Sequence, residues 1–464
     1  MKKHVVEETV IFLSVAKWLL LSSVMGVIIG ALMALFLWIL EYSANSRGLL
    51  PFHYYFILPI ALPLTIFVIK TFAPNAQGHG TEKVIEAVHK RSGKIKVAVM
   101  PIKLLATVFT IFAGGSVGKE GPGAQIGAGA SSVIASLLKF SNADRKKLVI
   151  CGISAGFASV FGTPIAGAIF GIEVLTIGII RYDVLLPSFI AGFAAFTTAQ
   201  FFGTDYTYFD IHFYKPMNLD LTLIAEVLVA GIFFGFVADF FITVLMGFEK
   251  IIEKIKYNIY LKAFVAGIIM VIATLIVGDK YLGLGLDVIK NALDPQGFLS
   301  QNIHWYDFIL KTIFTAISLG SGGSGGIVTP IFYVGATSGV VFGHIIHNEV
   351  ALFGALGFVS VLAGTTNAPI ASIIMAVELF GIEIAHYAAI SAVVAFLVSG
   401  HRSVFPSQKI AMSKSGVIDI EAGDDIEHSN ISIHTEDIEK FRHIGSQLKY
   451  KRLKWEAKNF NRKK

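Results

Sequence analysis

The chain of 464 residues has one cysteine, Cys151, which excludes an intrachain disulfide and any multi-thiolate metal site. Its expected role is that of a small apolar core residue. Charge is scarce as well: 15% of residues are Asp, Glu, Lys or Arg, against 54% hydrophobic and 38 Phe, with a mean hydropathy of +0.69. That balance excludes a soluble globular domain. Metal-site spacing is wanting too, because His344 and His347 have only Glu349 nearby. A nucleotide loop is missing where one is most tempting, at Gly114-Gly115-Ser116-Val117-Gly118-Lys119-Glu120-Gly121-Pro122. Ala113 stands for the leading glycine, and Glu120, not Ser or Thr, follows the lysine. No cofactor or ATP is implied.

What is present is a polytopic membrane protein. Apolar stretches recur at about 18–40, 54–73, 98–114, 124–138, 148–180, 184–202, 221–247, 262–278, 305–319, 331–346, 351–364, 369–381 and 384–399. The first is too long for a signal-peptide core and has no small-residue cleavage site after it, so it is read as a retained span. Many of the others are short and broken by glycine, the pattern of re-entrant or broken helices that line a cavity or pathway. Lys2, Lys3, Lys17 and the basic stretch from Lys449 to Lys464 fit both termini on the cytoplasmic side of a cell (inner) membrane. That basic tail is read as membrane-flanking charge, not as a nucleic-acid surface.

An internal repeat organises these segments. A shift of 208 lays Gly114, Gly115, Ser116, Gly118, Pro122, Gly127 and Ala128 onto Gly322, Gly323, Ser324, Gly326, Pro330, Gly335 and Ala336. A shift of 205 lays Pro164-Ile165-Ala166, Ile169 and Glu173 onto Pro369-Ile370-Ala371, Ile374 and Glu378. Gly78-His79-Gly80 matches Gly283-Leu284-Gly285 more weakly. Two homologous halves follow, with a site between broken helices near the midplane. Helix N-termini present free N–H groups and positive partial charge, so the expected substrate is an anion. Glu120 is an ionisable group in an apolar chain, a placement that marks function.

These residues resemble the CLC family of chloride channels and proton-coupled anion exchangers over about residues 15–410. Gly118-Lys119-Glu120-Gly121-Pro122 and Gly325-Gly326-Ile327-Val328-Thr329-Pro330 carry the match, with Gly78-His79-Gly80 a degenerate third motif and Lys103 a further agreement. The resemblance implies an all-α polytopic fold of two inverted homologous halves with broken and re-entrant helices, in a homodimer with one pore per subunit. It makes Glu120 the gating glutamate and places His79, Gly80, Gly118, Lys119, Gly121, Ile327, Val328, Thr329 and Phe405 along the anion pathway. Chloride is the first expectation, with fluoride or nitrate as related inorganic anions and protons as a second cargo. Three departures stand out: His79 replaces a serine, Phe405 a tyrosine, and Val174 a glutamate that hands protons inward. The missing inner glutamate resembles the channels, whereas losing both hydroxyls, with Val-Thr-Pro at 328–330, is similar to the fluoride-exporting branch, which tolerates a missing inner glutamate and still moves protons. Channel and proton-coupled exchanger both stay open.

The expected organisation is a segment 1–15, transmembrane halves 16–215 and 216–407, and a short tail 408–464, too short for the usual regulatory domain. Within the tail, Glu436 to Lys464 is open between an amphipathic helix and disorder. Glu173 and Glu378 stay open between proton carriers and helix pins at a subunit interface, the pin preferred. Gly322-Gly323-Ser324-Gly325, with His344, His347 and His386 downstream, fits the short pattern of an intramembrane serine hydrolase. That is a distant alternative, and the chain is read as a transporter, not an enzyme.

Overall fold

The computed structural model describes residues 2–206, 221–294, 299–416, 418–429 and 432–433. Glu436 to Lys464 therefore lies outside the described residues. The first half holds α1 (Lys2–Asn45), α2 (Leu58–Phe72), α3 (Thr81–Lys90), α4 (Val99–Phe112), α5 (Glu120–Leu137), α6 (Asn142–Phe161), α7 (Pro164–Glu173) and α8 (Leu185–Phe201). The second holds α9 (Leu221–Lys254), α10 (Ile259–Val277), α11 (Leu286–Ala292), α12 (Asp307–Gly320), α13 (Val328–Ile346), α14 (Val350–Thr366), α15 (Pro369–Phe380) and α16 (Ala385–Val398). The two series correspond helix by helix, so the repeat extends well beyond its glycine motifs.

Among the described residues, six helical segments are long and apolar enough to cross a membrane, including Glu7–Leu49, Leu221–Lys254 and Val328–Ile346. Others cannot cross alone. α7 has 10 residues and α15 has 12, against about 20 for a full span. Both begin with proline at the first turn, where the missing N–H costs nothing. The apolar stretch 148–180 is accordingly broken: α6 ends at Gly162 in a left-handed turn (φ 77°), and α7 restarts at Pro164. The stretch at 124–138 belongs to a helix that begins earlier, at Glu120, because its first turns are glycine-rich and polar.

Small residues bring the helices close. A Cβ on Gly127 would strike the Gly152 carbonyl, and one on Gly335 the Gly357 carbonyl, so α5 against α6 and α13 against α14 pack in the same way. Cys151 is fully buried in this core, with the Ser188 hydroxyl 3.9 Å from its sulfur.

Two reciprocal contacts lock the halves together. The Glu173 carboxylate accepts the N–H groups of Ile370 (3.1 Å) and Ala371 (2.8 Å) at the start of α15. Glu378 accepts those of Ile165 (2.9 Å) and Ala166 (2.8 Å) at the start of α7. Each carboxylate thus closes two orphan donors of the other half's helix, favoured by that helix's dipole.

The chain after α16 does not leave at once. Fully buried Gln408 donates through Nε2 to the carbonyls of Val174 and Thr366, both at 2.9 Å. Strand β1 (Thr176–Ile177) then pairs in parallel with β2 (Lys409–Ile410). The face where this tail packs is called the tail face below.

Candidate anion site

The repeat's two glycine loops meet at the centre of the molecule. Gly118 N–H donates to the Gly326 carbonyl and Gly326 N–H to the Gly118 carbonyl, both at 2.6 Å, in an antiparallel bridge. Repeat-equivalent residues exchanging the same bond in opposite directions is what a two-fold pseudo-axis through the bridge requires. Only glycine fits here: a Cβ on Gly326 would stand 2.7 Å from Gly121 N. Gly80, at φ 74°, is held against the Gly121 carbonyl, where any side chain would collide.

Three helix starts therefore converge. α5 opens on Glu120, α13 on Val328, and α3 on Thr81 just after Gly80. Glu120 is 1% exposed and lies across the gap between the halves. Its carboxylate accepts the Thr329 N–H at 3.1 Å and the Thr329 hydroxyl, 2.6 Å from both carboxylate oxygens. Val328 is the repeat partner of Glu120, so the second half offers N–H groups and no competing carboxylate. Among the described residues, the N–H groups of Ile327 and Val328 form no hydrogen bond, and they remain available to an anion. The Gly118 N–H is different, being committed to Gly326. It steadies the loop and has no donor left for a ligand.

Two buried lysines hold the flanking turns. Lys103 Nζ donates to the carbonyls of Gly78 (2.5 Å) and Ala76 (3.3 Å). Lys311 Nζ donates to Gly283 (2.9 Å) and Tyr281 (3.0 Å). Lys311 was missed in the sequence, although the 208 shift that relates the glycine loops leads to it from Lys103. Both amines thus fix turns whose glycines have positive φ, 81° at Gly78 and 56° at Gly283.

Lys119 points away from the centre into a cavity of about 700 Å³ on the face opposite the tail, lined also by Glu41, Arg47, Asp279, Lys280 and Asp287. Toward the tail face stands His79, 7% exposed. Its Nε2 lies 3.2 Å from Glu249 Oε1 on α9, while Nδ1 is buried with no partner among the described residues. Sequence offered no signal for this pairing across 170 positions. Phe405 is fully buried, its N–H bonded to the Ser403 hydroxyl at 3.0 Å. Val174 ends α7 inside the apolar core and brings no titratable group there.

The remaining motifs fall elsewhere. Ser324 Oγ lies 3.4 Å from the Thr107 hydroxyl, and no histidine bonds to it among the described residues. No cluster of three metal-ligating side chains occurs among the described residues, His344 and His347 included.

A family model described as the voltage gated chloride channel matches residues 57–400. The chain belongs to this family, the CLC proteins. It is 35% identical over 407 residues to a chloride/fluoride channel protein of Pseudomonas syringae pv. tomato, covering 86% of this chain and 88% of the relative. It is 24% identical over 390 residues to an H(+)/Cl(-) exchange transporter of Salmonella arizonae, covering 78% and 80%. Among solved structures, a CLC-type fluoride/proton antiporter superimposes with a TM-score of 0.79 at 29% identity, covering 85% of this chain and 98% of that one. As a CLC protein the chain is a multi-pass anion transporter or channel of inverted halves with broken helices, and no enzymatic activity is indicated.

Proposed function

We propose that the chain exchanges fluoride for protons, moving the anion between the cavity at Lys119 and the tail face through the gap that Glu120 occupies. The observation that carries this reading is Glu120 itself. A carboxylate resting on the first N–H groups and the Thr329 hydroxyl of α13 is an anion in an anion's place. Protonated or outcompeted, it leaves the donors of Ile327, Val328 and Thr329 to the permeant ion.

Fluoride is favoured over chloride, the first expectation, by the chemistry of the lining. The two side-chain hydroxyls that the resemblance leads one to expect are replaced by His79 and Phe405, while Thr329 keeps a hydroxyl beside Glu120. A small, hard anion gains more than a large, soft one from one short, strong donor. The names of the Pseudomonas relative and of the antiporter structure agree with this choice. Gly80 and Gly121 act as the close-packed turn that brings α3 and α5 to the ion. The preferred organisation keeps the transmembrane halves at 16–215 and 216–407, with the tail face cytoplasmic in a cell membrane. A homodimer fits the exposed apolar residues Ile165, Leu186, Ile370 and Val393 on α7, α8, α15 and α16.

The test is flux from reconstituted liposomes with the voltage clamped, comparing outward fluoride, chloride and nitrate gradients while external pH is followed. Fluoride efflux that drives protons inward, and that Glu120→Gln uncouples, is the expected result. Chloride flux exceeding fluoride flux refutes the anion assignment, and fluoride flux without proton movement refutes exchange.

A further inference from the structure

Two side chains outside the central bridge, Glu249 and His79, stand between the tail face and it. Glu249 lies where α9 carries Glu249, Lys250, Glu253 and Lys254 in its last turns, the charge pattern of a helix leaving the apolar layer. Its side chain is 39% exposed, against 9% for the His79 ring it touches. The pair thus spans the boundary between water and the interior. The other ring nitrogen, Nδ1 of His79, is a buried polar atom with no hydrogen-bond partner among the described residues. A buried ring nitrogen calls for a partner, and an ordered water or a proton in transit supplies one. The His79 carbonyl packs against Gly121, the residue that follows Glu120.

We infer that Glu249 and His79 form the proton entry on the tail face, taking the place of the titratable group that Val174 cannot supply. This rests on the exchange reading above. A proton taken from water by the Glu249 carboxylate passes from its Oε1 to His79 Nε2, and the ring releases its other proton from Nδ1 toward Glu120. Glu249 is left as carboxylate, Glu120 becomes the neutral acid, and the imidazole ends as the other neutral tautomer. The ring resets by tautomer exchange through water, which takes the proton from Nε2 and delivers one to Nδ1, so that no proton returns from Glu120 to Glu249. Imidazole suits the step because one ring nitrogen can accept a proton while the other donates one.

Other charges face the ring from each element packed around it. Glu82 and Lys83 stand on α3, with Glu82 bonded to the Ser407 hydroxyl and N–H. Lys103 on α4 holds the neighbouring Gly78 carbonyl, and Glu120 opens α5. Glu82 is already satisfied by Ser407, and among the described residues only Glu249 lies within hydrogen-bond distance of the ring.

The experiment is proton uptake per anion in voltage-clamped liposomes bearing Glu249→Gln, with Glu249→Asp and Glu82→Gln alongside. Glu249→Gln is expected to retain anion flux while protons moved per fluoride fall about tenfold or more. Glu249→Asp should restore coupling, and Glu82→Gln should leave it unchanged. Should the glutamine variant fail to reconstitute, His79→Gln serves for the same ratio. Coupling at the wild-type ratio in either variant overturns the inference. Wild-type fluoride flux without protons overturns it while sparing the anion pathway, and a wild-type protein that moves no small anion ends both readings.

Discussion

Thr329→Val is the sharpest probe of the gate, because valine keeps the shape of threonine and removes only the hydroxyl. That hydroxyl stands 2.6 Å from both oxygens of Glu120, with the Thr329 N–H as the second tie at 3.1 Å. A hydrogen bond to a charged group contributes about 1.5–3 kcal/mol. Its loss makes the carboxylate-occupied pathway roughly ten- to a hundredfold less favoured against the vacated one, at about 1.4 kcal/mol per tenfold. The permeant anion loses the same donor, so fluoride, which depends on it most, should lose apparent affinity while chloride loses little. The measurement is efflux of each anion from liposomes with simultaneous pH recording. Thr329→Val should carry more anion per proton and a lower fluoride-to-chloride ratio, and Thr329→Ser should resemble wild type. If the folded valine variant keeps both ratios within twofold of wild type, the hydroxyl neither holds the gate nor selects the ion.

Four further outcomes are expected. Glu378→Ala strands the N–H groups of Ile165 and Ala166 and should lower stability by about 2–4 kcal/mol, read from thermal unfolding in detergent. An unchanged midpoint would refute the cap. Gly326→Ala should abolish transport, since its Cβ meets Gly121 backbone at 2.7 Å, whereas Gly247→Ala, with open space around it, should transport normally. Lys311→Met should reduce thermal stability without altering the anion preference, while Lys103→Met should change both, measured by unfolding and by flux. At the tail, burial acts to raise the Asp425 carboxyl, but the His428 ring and the Lys90 ammonium outweigh it and hold the carboxyl below its usual range. A group depressed in this way stabilises docking above its unfolded pKa and loses that contribution as pH falls through the folded value. Protection factors across residues 408–429, taken against the intrinsic exchange rate at each pH, should therefore fall in acid, below about pH 4, and protection independent of pH there would refute the pairing.

Much of the fold could be read from the chain because membrane segments broken by glycine and proline announce themselves. Pro164-Ile165-Ala166 and Pro369-Ile370-Ala371 begin α7 and α15, and Gly118 to Pro122 opens α5 with Glu120 as its first residue. What remained hidden was side-chain partnership across the sequence. Nothing near His79 announces Glu249, and nothing near Gly118 shows that its N–H is spent on Gly326, because both depend on where distant helices cross. Glu173 and Glu378 had two open readings. Their carboxylates cap helices of the opposite half, within the chain, a role that only the crossing of α7 and α15 could reveal. The tail was legible only as a change to polar composition, yet Gln408 there joins the ends of α7 and α14.

The exchange of caps between Glu173 and Glu378 also constrains how the protein is made. When α7 emerges during synthesis, the acceptor for Ile165 and Ala166 lies more than two hundred residues away, at a position not yet translated. Uncapped N–H groups in hydrocarbon are costly, by several kcal/mol each, so the first half must wait in a provisional arrangement, with water or lipid headgroups at the start of α7. Final insertion of that helix is tied to the arrival of α15. Assembly of the two halves is then a late, concerted step, and a chain cut between them should mature only when both pieces are supplied to the same membrane.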